Sequence, residues 1–188
     1  KPRKGTFLVL EGSDGSGKAT QSRLLLRRLR ARGVPATRIA FPGYARSFFG
    51  KMVAAYLRGE YGPAVDPRLA AVLYAGDRFE AAERIRQWLA AGRIVVCDRY
   101  VDSNKAHQAA RMPTAQRREF LRWVDRLEYG ILGLPRPDFT VFLHVPVDAA
   151  HELIGRKRPR AYLKGRKRDA HEADPGHLNA AQAVFLKL

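Results

Sequence analysis

The sequence predicts an α/β fold, a doubly wound parallel sheet flanked by helices, from two observations. First, apolar runs of strand length alternate with amphipathic runs of helix length, which is typical of βαβ units. Second, residues 94–97 (Ile-Val-Val-Cys) are apolar without interruption, as in a strand covered on both faces of a parallel sheet. We expect a single domain over residues 1–188, because neither a linker nor an internal repeat interrupts the pattern.

Four runs of strand length are rich in apolar residues and are bounded by turn-forming residues. We expect strands at residues 7–11, 37–41, 94–98 and 139–145. In this fold class, ligands bind beyond the carboxyl ends of the strands. The segments 11–18, 41–42 and 98–100 follow strand ends, so they should converge on one crevice.

Helical spacing of apolar residues marks the segments between the strands. We expect helices at 18–32, around 52–57, and at 67–90, 101–110, 114–130, 148–155 and 176–188. Leu25, Leu26 and Leu29 give the first helix an apolar face, and Asp66 is a good N-cap for the long third helix. In the last helix, four residues should face the core: Leu178, Ala181, Val184 and Phe185.

The segment 7–20 carries the strongest functional signal. An apolar strand ends in a turn with three glycines, which opens into a helix, and this is the layout of a phosphate-binding P-loop. The glycines let successive N–H groups point into one nest, and the helix N-terminus favours anions. Lys18 would reach the β- and γ-phosphates. A Gly-rich turn without a ligand is the alternative, which the strand before and the helix after disfavour.

The residue after Lys18 departs from the P-loop pattern. The motif has Ser or Thr there, whose hydroxyl ligates Mg²⁺, whereas this chain has Ala19, with Thr20 one residue later. Adjacent helical residues point in different directions, so Thr20 is not a simple substitute. The sequence therefore predicts a nucleotide site and leaves open how Mg²⁺ is held.

Composition restricts the class of protein. The chain has 188 residues, enough for a core, and no apolar run that could span a bilayer or form a signal peptide. The one cysteine, Cys97, lies in an apolar strand, which predicts a buried thiol and a cytoplasmic protein. The net charge of +17 predicts anionic partners. Residues 156–168 hold eight basic side chains and no acidic one, either as a solvated segment or as a functional one.

Two further groups of residues could carry chemistry. Asp98 directly follows an apolar strand, where a Walker-B-type carboxylate would help to hold Mg²⁺, and Arg99 offers a two-pronged donor for phosphate. The alternative is an Asp that caps a helix beside a surface Arg. Tyr74, Arg78 and Phe79 share the long helix and could stack on a base and bind its edge. Periodicity alone favours core aromatics beside a solvated Arg.

Five segments, in this order, resemble the thymidylate kinase family. They are residues 11–18, 41–44 (Phe-Pro-Gly-Tyr), 75–80, 98–108 and the basic Arg-Ala-Tyr at 160–162. The matches extend from residue 7 to about 175, and the block 98–108 together with Asp14 separates this family from adenylate-type kinases. The resemblance implies a P-loop nucleotide-kinase fold that transfers a phosphoryl group from ATP to dTMP, giving dTDP and ADP, with Mg²⁺ as cofactor.

The resemblance also implies roles for individual residues on the ATP side. Lys18 and the P-loop backbone would bind the ATP phosphates, and Asp98 would assist Mg²⁺. The implied ATP-binding residues are Gly12, Ser13, Asp14, Gly15, Ser16, Gly17, Lys18, Ala19 and Thr20.

On the acceptor side, Arg99 would hold the dTMP phosphate, with Arg46 as a possible helper. Tyr74 would stack on thymine, while Arg78 and Gln108 would read its polar edge. Asp14 would meet the sugar 3′-hydroxyl. The implied dTMP-binding residues are Asp14, Phe41, Pro42, Arg46, Tyr74, Arg78, Arg99, Ser103, Gln108 and Tyr162.

The basic segment would form a short lid over about 156–170. Some family members have an Arg directly after the P-loop Asp, where this chain has Gly15. The catalytic charge would then come from the lid, through Arg156, Arg158 and Arg160. Because the acceptor is already a phosphate anion, the reaction needs positioning and charge neutralisation rather than a strong general base.

Further expectations concern assembly and chain ends. Family members are typically homodimers through their long helices, and we expect the same here. Gly43 stands where a phosphate-binding Arg often follows Phe-Pro. The family has a further strand and a closing helix, so we expect that this sequence lacks its natural C-terminus, as it lacks an initiator Met.

Three other functions remain open at this point. Another nucleoside monophosphate kinase would differ in the base pocket at Tyr74, Arg78 and Gln108. A regulator that binds nucleotides without turnover is suggested by Ala19 and Gly43. A nucleic-acid-binding module is suggested by the net charge, but no RRM, KH or zinc-finger pattern supports it, and we expect neither a nucleic-acid nor a membrane partner.

Overall fold

A computed structural model of the protein describes residues 5–62, 64–146, 149–150, 152–153 and 175–188. Within these residues the strands are β1 (Thr6–Glu11), β2 (Ala36–Ala40), β3 (Ile94–Asp98) and β4 (Phe139–Phe142). They pair in parallel in the order β2-β3-β1-β4. The predicted α/β fold with a parallel sheet is confirmed.

Helices flank this sheet, and their bounds follow the predicted periodicity closely. They are α1 (Lys18–Ala31), α2 (Phe48–Leu57), α3 (Pro67–Ala90), α4 (Val101–Ala110), α5 (Thr114–Asp125) and α6 (Pro175–Phe185). Asp66 caps α3 as predicted, because its carboxylate accepts a hydrogen bond from the N–H of Arg68 at 2.7 Å. None of the described helices is both long and apolar enough to cross a bilayer.

Three elements end at least three residues earlier than the sequence predicts. One is α6, which ends at Phe185 rather than at residue 188. The helix expected at 114–130 ends at Asp125 and continues as a π-helical turn, Arg126–Ile131, which contains the fully buried Glu128. Strand β4 ends at Phe142 rather than at residue 145, because its partner β1 ends opposite it at Glu11. Half of the short helix predicted at 148–155 lies outside the described residues, and the described residues 149–150 and 152–153 are helical.

The core lies on both faces of the two central strands. Phe7, Val9 and Val95 are buried, and so is Cys97, as predicted. The four residues of α6 that were expected to face inward are buried as well. The predicted apolar face of α1 is less buried than expected, because Leu25, Leu26 and Leu29 are only half-buried. Helix α1 packs over β3 and the edge strand β2, so the sheet covers it incompletely.

Candidate active site

A cavity of about 570 Å³ opens at the carboxyl ends of the strands. The loop after β1, the segment after β2 and the turn after β3 all contribute to its wall, so the predicted convergence is found. The predicted site residues on this wall are Asp14, Gly15, Gly17, Lys18, Ala19, Thr20, Phe41, Pro42, Tyr74, Arg78, Asp98, Arg99, Ser103 and Gln108.

The remaining predicted site residues lie elsewhere. Gly12, Ser13 and Ser16 are buried within the P-loop itself. Arg46 is exposed, donates a hydrogen bond to the carbonyl of Ala40 at 3.1 Å and lines a separate cavity of about 170 Å³. The predicted lid residues lie outside the described part of the chain: Arg156, Arg158, Arg160 and Tyr162.

The P-loop folds around the ammonium group of Lys18. Lys18 Nζ donates to the carbonyls of Gly12 at 2.8 Å and Ser13 at 2.6 Å, and to Ser16 Oγ at 3.2 Å. Burial, with help from the nearby charge of Arg99, lowers the pKa of Lys18 to about 7. The ammonium is therefore held against its own loop, at the end of the cavity where α1 begins.

Arg99 occupies the turn between β3 and α4 with a left-handed backbone, at φ 68°. Its guanidinium forms an ion pair with Asp14 of the P-loop and donates to Ser103 Oγ at 3.3 Å. Burial works against its charge, but the carboxylates of Asp14 and Asp98 outweigh burial and raise the pKa of Arg99. The cavity thus holds a permanent cation that faces the phosphate-binding loop.

Glu11 connects these two segments, a role that the sequence analysis missed. Its buried carboxylate accepts hydrogen bonds from the N–H groups of Tyr100 at 2.7 Å and Ser103 at 3.1 Å, and from Ser103 Oγ at 2.5 Å. Burial raises the pKa of Glu11, although the Ser103 hydrogen bond and the charge of Arg99 oppose this shift. The carboxylate that ends β1 therefore fixes the position of the Arg99 turn. A charged residue at the end of an apolar strand was the available signal.

Arg78 is anchored rather than solvated. Its side chain is only 2% exposed, and Nε and Nη2 donate to the carboxylate of Glu128 at 2.6 and 2.7 Å. The interpretation of Arg78 as a solvated residue is therefore wrong. Its neighbour Phe79 is half exposed and is not among the described residues that line the cavity.

Two residues of the cavity wall have a buried side-chain amide. Each amide has one polar atom with no hydrogen-bond partner among the described residues. Asn104 donates through Nδ2 to Glu128 at 2.8 Å, which leaves its Oδ1 unpaired. Gln108 accepts from Arg111 at 3.1 Å, which leaves its Nε2 unpaired. Both residues line the cavity, so one acceptor atom and one donor atom of its wall have hydrogen-bonding capacity left. The sequence analysis missed Asn104, although it directly follows the predicted Ser103.

Asp98 is buried, and its Oδ2 accepts a hydrogen bond from Arg38 at 2.7 Å. Arg38, which the sequence analysis also missed, donates to Ser22 Oγ as well, so it links β2, α1 and β3. Among the described residues there is no cluster of three or more potential metal ligands. Such a cluster is not required for Mg²⁺ at a phosphate site, where one or two carboxylates act together with substrate oxygens and water. Asp98 fits that requirement.

Comparisons with known proteins agree with this geometry. The family model for thymidylate kinase matches residues 10–176. The thymidylate kinase of Mycobacterium tuberculosis H37Rv is 37% identical over 184 residues, which covers 97% of this chain and 85% of the relative. The enzyme of Thermomicrobium roseum is 37% identical over 156 residues, covering 82% and 68%. The solved thymidylate kinase of Candida albicans covers 98% of this chain and 78% of its own, with a TM-score of 0.78; at 24% identity it supports the fold alone.

Proposed function

The chain belongs to the thymidylate kinase family, and on that premise we propose that it transfers the γ-phosphoryl group of ATP to dTMP, giving dTDP and ADP. One observation carries the proposal. Lys18, Arg99 and the buried amides of Asn104 and Gln108 line the same cavity. A donor phosphate, an acceptor phosphate and a base can therefore be held side by side, and proximity of this kind supplies much of the catalysis of phosphoryl transfer.

The two unpaired amide atoms support a thymine-type base. Asn104 Oδ1 can accept from an N–H group, such as N3–H of thymine, and Gln108 Nε2 can donate to a ring carbonyl. Cytosine carries no hydrogen at N3, so it would leave Asn104 Oδ1 unpaired in a buried site, which is costly. Uracil has the same polar edge as thymine, so this pair favours both bases over cytosine.

The proposal is tested by measuring ADP release with ATP, Mg²⁺ and each of dTMP, dUMP, dCMP, dAMP and dGMP. We expect turnover with dTMP and little with dCMP or the purine nucleotides. Gln108→Glu is the matched variant, since it keeps an oxygen towards Arg111 and replaces the donor by an acceptor. It should lower dTMP turnover without weakening ATP binding. Thermal stabilisation by ATP without turnover of any acceptor would instead favour the nucleotide-binding regulator.

The proposed reaction also requires Mg²⁺, which binds together with ATP. Asp98 would hold the ion together with phosphate oxygens and water, because Ala19 provides no hydroxyl group. When bound, the ion neutralises charge on the phosphates. The ion pair with Arg38 holds the Asp98 carboxylate in place.

We also propose that the catalytic charge comes from the basic lid, through Arg156, Arg158 and Arg160. The support is steric. At Gly15, with φ at 86°, a Cβ atom would lie 2.3 Å from the carbonyl oxygen of Ala150. The P-loop therefore has no room at this position for the Arg that some family members carry, which supports a source of the charge in another segment.

A homodimer in the cytoplasm completes the proposal. Helix α3 exposes Leu69, Val72 and Phe79 along one side, and Phe48 of α2 is 68% exposed. An apolar stripe of this kind is typical of a subunit contact. The single cysteine is buried and unpaired, which agrees with a reducing compartment.

Phe79→Glu is expected to shift the protein from dimer to monomer, because it places a charge within the apolar stripe. Sedimentation velocity over a range of protein concentrations measures the shift. Leu24→Glu is the control, since Leu24 is an exposed apolar residue on α1, away from the stripe. A wild-type protein that is monomeric at all concentrations would contradict the proposed dimer.

A further inference from the structure

Two histidines connect the last helix to the active-site cavity. His107 of α4 and His177 of α6 are both buried, and Nδ1 of His107 lies 3.2 Å from Nε2 of His177. Their rings are stacked, with centroids 5.5 Å apart and planes at 24°. Phe185 of α6 approaches the His107 ring edge-on, with centroids 6.0 Å apart. Helix α6 thus holds His107 by both a polar and an apolar contact.

The other nitrogen of His107 faces the acceptor side of the cavity. His107 Nε2 lies 3.4 Å from Nη1 of Arg99 and 4.0 Å from Oδ2 of Asp14. The first distance is at the long end of the hydrogen-bond range, and the second is too long for a hydrogen bond. His107 therefore lies between α6 and the ion pair of Arg99 with Asp14.

The chemistry of these groups fixes where the protons are. A guanidinium group can only donate, so His107 Nε2 must accept and carries no proton in this arrangement. The ring proton of neutral His107 is then on Nδ1, which donates to Nε2 of His177. The contacts form a directed chain in which Arg99 donates to His107 and His107 donates to His177.

We propose that His177 is a positioning residue for the acceptor phosphate. It accepts the Nδ1 proton of His107 and so holds His107 in the one neutral tautomer whose Nε2 can receive Arg99. Without that acceptor, the proton of His107 can move to Nε2, where it opposes the N–H of Arg99 donor to donor. The guanidinium then loses one of the contacts that aim it into the cavity. This inference rests on the proposed function, in which Arg99 binds the dTMP phosphate.

The matched pair of variants is His177→Leu and His177→Gln. Leucine fills the space without an acceptor, whereas the side-chain oxygen of glutamine can accept from His107 Nδ1. We expect His177→Leu to raise the KM for dTMP about fivefold, the size of one lost hydrogen bond, with the KM for ATP unchanged. His177→Gln should stay close to wild type. A purely structural role for His177 would not produce this split between the two substrates.

Val184→Ala controls for loosened packing of α6. Val184 is buried in the same helix and belongs to the apolar core rather than to the histidine pair. It should lower the unfolding temperature without changing the KM for dTMP. If Val184→Ala raises that KM as much as His177→Leu does, general loosening of α6 explains the effect and the proposal fails.

Nitrogen NMR of histidine-labelled protein gives a readout that does not depend on turnover. In the wild type, His107 should show a protonated Nδ1 and an unprotonated Nε2, and in His177→Leu the proton should shift towards Nε2. A proton on Nε2 of His107 in the wild type overturns the proposal. If the wild type instead shows the expected tautomer but no dTMP turnover, the proposed function fails while the histidine chain stands.

Discussion

Lys18→Ala is expected to lower kcat for phosphoryl transfer by ~10³-fold or more, with the protein still folded. The ammonium binds the carbonyls of its own loop, and ATP phosphates would compete for it directly. Removing a buried, desolvated charge does not open the apolar core, so the unfolding temperature should change little. Steady-state kinetics and thermal unfolding measure the two effects. Normal activity in Lys18→Ala would overturn the P-loop assignment.

The lowered pKa of Lys18 gives this prediction an internal control. With a pKa of about 7, the side chain is largely neutral above neutral pH. Bound phosphates favour the ammonium, so ATP binding at about pH 8 should take up close to one proton. Calorimetry in buffers with different ionisation enthalpies counts that proton. The uptake should disappear in Lys18→Ala, and uptake that persists would assign the proton to another group.

Arg99→Ala is expected to lower kcat/KM for dTMP by ~10²–10³-fold while ATP affinity stays close to wild type. The lost cation belongs to the acceptor phosphate, and its removal also takes the positive charge of Arg99 away from the carboxylate of Asp14. The repulsion between that carboxylate and the incoming phosphate adds to the loss. Kinetics with each substrate varied in turn, together with nucleotide titration, separate the two sites.

Arg46→Ala is the matched control for Arg99→Ala. Arg46 lies on the wall of the smaller cavity, where it donates to the backbone of Ala40. It should therefore stay within about threefold of wild type, as expected for a surface side chain. A large loss of dTMP use in Arg46→Ala would assign the acceptor-phosphate role to Arg46. A loss of ATP binding in Arg99→Ala as large as the loss of dTMP use would contradict that role for Arg99.

Local patterns in the sequence were sufficient to predict most of the fold. The apolar run of β3 and the Asp66 cap of α3 appear in the structure because each depends on neighbouring residues alone. The burial of the apolar face of α1 was overestimated, because helical spacing does not reveal that the helix covers an edge strand. The early end of α5 coincides with a π-helical turn that contains Glu128, whose partner Arg78 is far away in the sequence.

Site residues that belong to a sequence motif could be predicted. Contacts between residues that are far apart in the sequence could not. Asp98 and Arg99 follow a strand end, so their place in the crevice could be inferred from topology alone. The contacts of Glu11 with the Arg99 turn, and the unpaired oxygen of Asn104, depend on how β1, α4 and the π-helical turn meet. The spacing of residues within one segment does not reveal contacts between separate elements.

The strand order has a consequence for synthesis of the protein. Strand β3 lies between β1 and β2, so Thr6 and Ala36 both pair with Ile94. The two strands that leave the ribosome first have no partner until β3 emerges, and β1 acquires its second neighbour only with Phe142. An apolar strand without a partner is prone to aggregation, so the interval before residue 94 is the vulnerable stage of biogenesis. Helices α1, α2 and α3, which need only local contacts, can form during that interval.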